Sequence, residues 1–197
     1  MQTNLRSGKD LKEIQRRLAM NDPAALRQLY EIFSDKLFQF AHALLRSREM
    51  AEEVVEDVFI QVWKKSQRIS GLENLSFYLY TCTRNFCYNY HRKYHRNRPL
   101  NIDEVELPYY KIEASAEELM IVNDLLQQFH AALNTLPPKC RLIFKLVKEE
   151  GLKYREVAEL LGISQKTVEA QMGIAFKRIS QSIPFRINPT RDSSRIR

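Results

Sequence analysis

The stretch that decides the fold runs from Tyr154 to Ile179: YREVAELLGISQKTVEAQMGIAFKRI. Ala158 is small where two helices would cross, Gly162 follows four residues later in a turn, and Val168 comes six after that as an inward residue. Each spacing has its own steric cause. Together they predict a helix-turn-helix: a helix over Tyr154 to Leu161, a turn at Gly162, Ile163 and Ser164, and a last helix from Gln165 to Ser182 closed by Pro184. Ser164 is the expected N-cap of that last helix. If Val168, Met172, Ala175 and Ile179 face a core, then Lys166, Glu169, Ala170, Gly173 and Lys177 face outward. Second helices of this motif enter the DNA major groove with their N-terminal residues at base edges. Gly173 costs about 1 kcal/mol relative to Ala inside a helix, and close backbone approach to a partner is one reason to carry it. The plainer alternative is a three-helix bundle with no DNA role.

Upstream of this motif the periodicity stays helical. A helix near Ala116 to Leu133 stops at Pro137 and Pro138, and the next, through Leu142, Ile143, Leu146 and Val147, ends at Gly151. From Asp103 to Asp124 the acids Glu104, Glu106, Glu113, Glu117 and Glu118 face only Lys111, so residues 99–115 read as an acidic linker. The reverse holds just before it. A helix expected from Ser76 to Asn97 lies in a stretch, Asn74 to Ile102, with no Asp or Glu, and it carries Arg84, Arg92, Lys93 and Arg96 among seven aromatic residues. About half of those rings should be core. Exposed ones, stacked on unpaired bases beside backbone-tracking cations, suit single-stranded nucleic acid.

Nearer the N-terminus, Asn21, Asp22 and Pro23 open a helix whose apolar face is Leu26, Leu29, Tyr30, Phe33, Leu37, Phe40 and Leu44. A second helix follows Arg48. Its wide stripe of Val54, Val58, Phe59, Val62 and Trp63 opposes Glu49, Glu52, Glu53, Glu56 and Asp57, leaving some apolar surface for a partner. Arg68 to Asn74, with Gly71 inside, reads as a loop.

Composition agrees with an all-α chain. Gly and Pro number only 5 and 7 in 197 residues, and no β-branched run alternates with polar residues. With 31 Lys+Arg against 24 Asp+Glu the net charge is +7, which favours polyanionic partners. No uncharged apolar run approaches the roughly 20 residues that cross a bilayer, and the charged N-terminus does not read as a secretory signal, so the expected location is the cytoplasm. Cys82, Cys87 and Cys140 show no CxxC spacing, which argues against a disulfide framework. Cys87, His91 and His95 fall four apart on one helix face but lack a fourth zinc ligand, so no metal or cofactor is expected. With no phosphate-cradling glycine loop, GxSxG or HExxH, an enzyme is not expected either.

Three passages in this order resemble the sigma factors of bacterial RNA polymerase, in the extracytoplasmic-function (ECF) class of the sigma-70 family. AEEVVEDVFIQVW at 51–63 is similar to that family's core-binding helix, LSFYLYTCTRNFCYNYHRK at 75–93 to its promoter-melting segment, and LPPKCRLIFKLVKEEGLKYREVAELLGISQKTVEAQM at 136–172 to its DNA-reading domain. The resemblance implies two small helical domains on a flexible acidic linker. Residues 1–98 would be the region 2-like domain, 99–115 the linker and 116–183 the region 4-like helix-turn-helix domain of winged-helix-like type; residues 184–197, rich in Arg and outside the resemblance, read from composition as a disordered basic tail.

The resemblance further implies that Glu53, Glu56, Asp57, Val58 and Phe59 meet the clamp coiled coil of the polymerase largest subunit. Arg68, Asn74, Phe77 and Asn85 fall where a flipped non-template base is captured, and Arg84, Tyr88, Arg92 and Lys93 lie along the melted minus-ten strand. Lys153, Tyr154, Arg155, Ser164, Gln165, Lys166, Thr167, Glu169, Ala170 and Gly173 would meet the minus-thirty-five element. Implied partners are polymerase core, including the flap of the second-largest subunit, promoter DNA, and an anti-sigma factor, either soluble or membrane-anchored. Relatives often carry Arg and Ser where this chain has Glu169 and Ala170, so their promoter sequence does not transfer. Two rival classes are a helix-turn-helix regulator acting on duplex DNA without polymerase and a pure interaction module, such as a helical adaptor, that leaves DNA untouched.

Overall fold

The Asp22 carboxylate accepts the Ala24 N–H at 2.9 Å, and Pro23 stands at the first helical position, where its missing N–H has no intrahelical partner to lose. In the computed structural model, which describes residues 8–94 and 120–182, this start opens α2, Pro23–Leu45. Before it comes α1, Gly8–Ala19; after it come α3, Arg48–Lys64, the single turn α4, Ser66–Ile69, and α5, Leu75–Tyr94. The second half holds α6, Met120–Asn134, α7, Pro138–Lys148, α8, Tyr154–Leu161, and α9, Gln165–Ser182. The described residues contain helices and no strand.

Helices α2, α3 and α5 pack on one another. Leu29, Phe33, Leu37 and Phe40 from α2 meet Val54, Val58 and Val62 from α3 and Leu79 and Tyr80 from α5, all buried. Each such side chain contributes about 1.5 to 3 kcal/mol on burial. The Phe40 and Tyr80 rings meet edge to face, with centroids 5.1 Å apart.

Helix α1 is absent from the sequence reading. Its charges break up the apolar stretches, yet Ile14 and Leu18 are buried, and so is Gln15. The Gln15 amide donates to the carbonyls of Ile69 at 2.9 Å and Leu72 at 3.0 Å. It thereby fixes the end of α4 and the turn after it, a segment the sequence presents as a plain loop. Of the helix expected over 76–97, residues 95–97 lie outside the described residues, as do 116–119 of the next helix, the linker 99–115 and the tail 184–197.

In the second half, Leu133, Leu142, Ile143, Leu146, Val157, Leu160, Val168, Met172 and Ala175 form the core. Gly151 has φ +69°, which lets the Leu152 N–H return to the Leu146 carbonyl at 3.0 Å. Gly162, at φ +64°, ends α8 and lets Ile163 donate back to Ala158 at 3.0 Å, setting the angle at which α9 leaves.

Candidate nucleic-acid interface

Ser164 caps α9, its hydroxyl accepting the Thr167 N–H at 3.0 Å and lying 2.8 Å from the Thr167 hydroxyl. With the start fixed, the helix period decides the faces. Val168, Met172 and Ala175 are buried and Ile179 half-buried, whereas Gln165, Lys166, Glu169, Ala170 and Gly173 are exposed along one outer face. Gln165 Nε2 donates to Glu169 Oε1 at 3.1 Å, which orients that carboxylate. Lys153 and Arg155 are exposed at the start of α8 and Tyr154 is half-buried. This end of α8 is held by Glu156, whose Oε2 accepts the Lys153 N–H at 2.8 Å.

A Cβ at Gly173 would meet nothing within 4 Å. Packing therefore does not require glycine there. Gly173→Ala should raise thermal stability by about 1 kcal/mol, from helix propensity alone, and weaken binding to an upstream-element duplex; a calorimetric scan and a duplex titration read the two effects.

On α5 the aromatic residues divide. Tyr80 is buried and Phe77, Tyr78, Phe86 and Tyr90 are half-buried, which leaves Tyr88 and Tyr94 exposed at 42% and 51%. Asn85, Tyr88 and Arg92 are exposed at helical spacing on one face, with Lys93 beside them. The Lys93 ammonium sits 5.1 Å from the centre of the Tyr94 ring. Among the described residues this face has cations, an amide and rings and no carboxylate of its own helix. Phe77 donates its N–H to Asn74 Oδ1 at 3.0 Å, so Asn74 fixes the start of α5, and Arg68 is exposed on α4.

Two of the expected minus-ten residues are engaged by the second half of the chain. The Asn74 amide donates to both oxygens of Glu156, at 2.9 and 3.0 Å. Arg84 Nη1 donates to the carbonyls of Glu159 at 2.8 Å and Leu160 at 3.2 Å, while its Nε and Nη2 reach Asn85 Oδ1 at 3.3 and 3.1 Å.

On α3 the expected partner-binding set separates. Glu53 and Glu56 are exposed, but Val58 is fully buried and Phe59 is 6% exposed. Both are core residues, whereas Trp63 on the same stripe is half-buried. The exposed apolar groups at this edge are Ile60 and, on α2, Tyr30, whose ring lies 4.8 Å from that of Phe59. Tyr30 borders a groove of about 470 Å³ shared with Asp35, Phe38, Glu52, Val55 and Glu56. The sequence places Tyr30 on the apolar face of α2; its exposure follows from its position at the rim of the α2 and α3 contact. Asp57 is half-buried and accepts the Tyr90 hydroxyl at 3.0 Å, tying α3 to α5.

Burial, and then the nearby carboxylates of Asp57 and Glu53, push the Tyr90 hydroxyl up to about 12. Burial likewise raises Tyr78 to about 12, with Cys82 adding to the effect. The Cys82, Cys87 and Cys140 thiols are all pushed up by burial, so none is activated as a thiolate. Cys87 points into the core, and no group of three or more His, Cys, Asp or Glu among the described residues is arranged to hold a metal. No helix among them is long and apolar enough to cross a membrane.

Residues 29–97 match the family described as Sigma-70 region 2, and residues 126–179 the family described as Sigma-70, region 4. The two matches together span more than half of the chain, which belongs to the sigma-70 family, in its extracytoplasmic-function class. It is 26% identical over 161 residues to the ECF RNA polymerase sigma factor SigE of Mycolicibacterium smegmatis, covering 78% of this chain and 61% of SigE. It is 21% identical over 178 residues to the ECF RNA polymerase sigma factor SigK of Mycobacterium tuberculosis, covering 88% of this chain and 94% of SigK. Among solved structures it is similar to CnrH, determined in complex with the cytosolic domain of CnrY, with TM-score 0.49, 20% identity and coverage of 86% and 94%.

Proposed function

We propose that this chain binds RNA polymerase core, recognises promoter DNA and helps to open it for initiation. The observation that carries the proposal is the presence, in one chain, of two surfaces suited to different forms of DNA: the exposed face of α9 and the acid-free face of α5. Major-groove readout needs the first. Opening a duplex loses stacking of about 1.4 kcal/mol per step, and stacking a base on an aromatic ring returns about 1 to 3 kcal/mol, a task for Tyr88 and Tyr94. A regulator that binds only duplex DNA has no use for the second surface.

In this reading residues 1–98 bind core and the minus-ten strand, 99–115 link, 116–183 read the minus-thirty-five element, and 184–197 form a basic tail. The chain acts inside the cell without catalysis or cofactor, and an anti-sigma factor is its natural antagonist. Arg68, Asn74, Phe77, Arg84, Asn85, Tyr88, Arg92 and Lys93 serve the melted strand. Lys153, Tyr154, Arg155, Ser164, Gln165, Lys166, Thr167, Glu169, Ala170 and Gly173 serve the upstream duplex. Core contact on α3 falls to Glu53 and Glu56, with Ile60 and Tyr30 as the apolar part; Val58 and Phe59 support them from beneath and Asp57 holds Tyr90.

Reversal of both exposed acids, Glu53→Lys with Glu56→Lys, should weaken core binding about tenfold or more, the scale of a single interface hot spot. Thermal stability should stay within about 0.5 kcal/mol, because both are surface positions. A titration of labelled protein against core reads the first effect. Native affinity in the double variant would defeat this assignment, and promoter-specific abortive transcription with core tests the function as a whole.

A further inference from the structure

Helix α1 and the turn that leaves it hold α4 and the segment after it through three side chains. Gln15 is 1% exposed, and its Nε2 donates to the carbonyls of Ile69 at 2.9 Å and Leu72 at 3.0 Å, so both protons of the amide are committed. The Lys12 ammonium donates to the same Leu72 carbonyl at 2.6 Å. Behind them the hydroxyl of the buried Ser66 donates to Asn21 Oδ1 at 3.1 Å, and Asn21 stands at φ +57°, a left-handed backbone uncommon outside glycine.

Ile69 and Leu72 are the two ends of one tight turn, closed by the Leu72 N–H on the Ile69 carbonyl at 3.1 Å. Ser70 and Gly71 at its tip are exposed, so side-chain packing does not hold the tip in place. The turn sets how Arg68, one residue before it, stands relative to Asn74 and Phe77 after it. Discrimination between bases needs such groups held to within about 0.5 Å, because hydrogen bonds weaken steeply when misplaced. A buried amide with both protons engaged is a stiff support for that purpose. The match to Sigma-70 region 2 starts at residue 29, so α1 lies outside it.

We infer that Gln15 is a positioning residue for promoter specificity: it touches no DNA, but by fixing the Ile69 to Leu72 turn it fixes the gap in which Arg68, Asn74 and Phe77 meet an extruded base. The inference rests on the proposed role of those three residues at the melted strand.

Gln15→Met keeps a long unbranched side chain and removes both donors. Holoenzyme carrying it should bind core and an upstream-element duplex like the native protein. In a selection of randomised minus-ten elements it should lose about tenfold in base discrimination at one position, the scale of one well-placed base contact. Its melting temperature should fall as well, since a buried carbonyl loses a donor, and a second variant separates that effect. Leu18 is fully buried one turn later on α1 and offers the turn no hydrogen bond. Leu18→Ala should lower the melting temperature at least as far, through the cavity it leaves, and keep the native base preference. Equal flattening in the two variants overturns the positioning role and makes α1 an ordinary support. Native preference in Gln15→Met overturns the clamp while the base-capture reading stands. Native holoenzyme that opens promoters with no base preference in the minus-ten region overturns that reading, and the clamp falls with it.

Discussion

Holoenzyme carrying Asn85→Ala should form closed promoter complexes like the native protein and then hold about a tenth as much open DNA. Asn85 is exposed on α5, one turn before Tyr88, and its Oδ1 is held by the Arg84 guanidinium at 3.1 and 3.3 Å. Arg84 thus fixes the carbonyl end of the amide and leaves the Nδ2 end to donate to an acceptor on an extruded base. A well-placed contact to a base edge is worth about 1 to 3 kcal/mol, and 1.4 kcal/mol is about tenfold in the opening equilibrium. Alanine at an exposed helical position removes this contact and little else, so stability and core affinity should stay native. Permanganate reactivity of unpaired thymines measures the open fraction. Native reactivity in the variant would make Asn85 an ordinary surface residue of α5. Arg84→Ala should behave differently in the free chain, because that guanidinium also reaches the carbonyls of α8.

The helix-turn-helix was legible because its constraints are local. Gly162 needs a left-handed backbone, Ser164 caps within three residues, and the inward period of Val168, Met172 and Ala175 fixes the outer face of α9. What the sequence hid depends on contacts between distant segments. Gln15 looks like one more polar residue in a charged stretch, and only the arrival of Ile69 and Leu72 carbonyls from more than fifty residues away makes it a buried clamp. Val58 and Phe59 lie on a stripe that, along the chain, is wider than one neighbour can cover; α2 and α5 bury both of them from two sides. Tyr30 shows the opposite error, an apolar-face position left at the rim. Asn74 and Arg84 could be placed near DNA from the motif they occupy, but nothing in their neighbourhood along the chain announces that Glu156 and the end of α8 would bind them.

Glu169→Gln should change which base is preferred at one upstream position while leaving overall affinity close to native. Glu169 is exposed on the outer face of α9, one turn in, and Gln165 Nε2 holds its Oε1 at 3.1 Å. A carboxylate on a DNA-facing surface is repelled by phosphates, so its place there is favourable only where a base amino group donates to it, and cytosine N4 is the major-groove donor that suits a carboxylate. Glutamine keeps an oxygen for Gln165 but gains an amide donor, the combination that matches adenine N6 and N7. The expected result is a shift from cytosine toward adenine at a single position, by about 1 to 3 kcal/mol of discrimination. Lys166→Ala, next to the capped start of the same helix, is the contrasting case: loss of a phosphate contact should lower binding to all sequences alike and reduce the salt slope by about 1. Selection of randomised upstream elements with the holoenzyme compares the two variants directly. An unchanged base preference in Glu169→Gln would sink the assignment, since a residue that touches no base cannot alter which base is chosen.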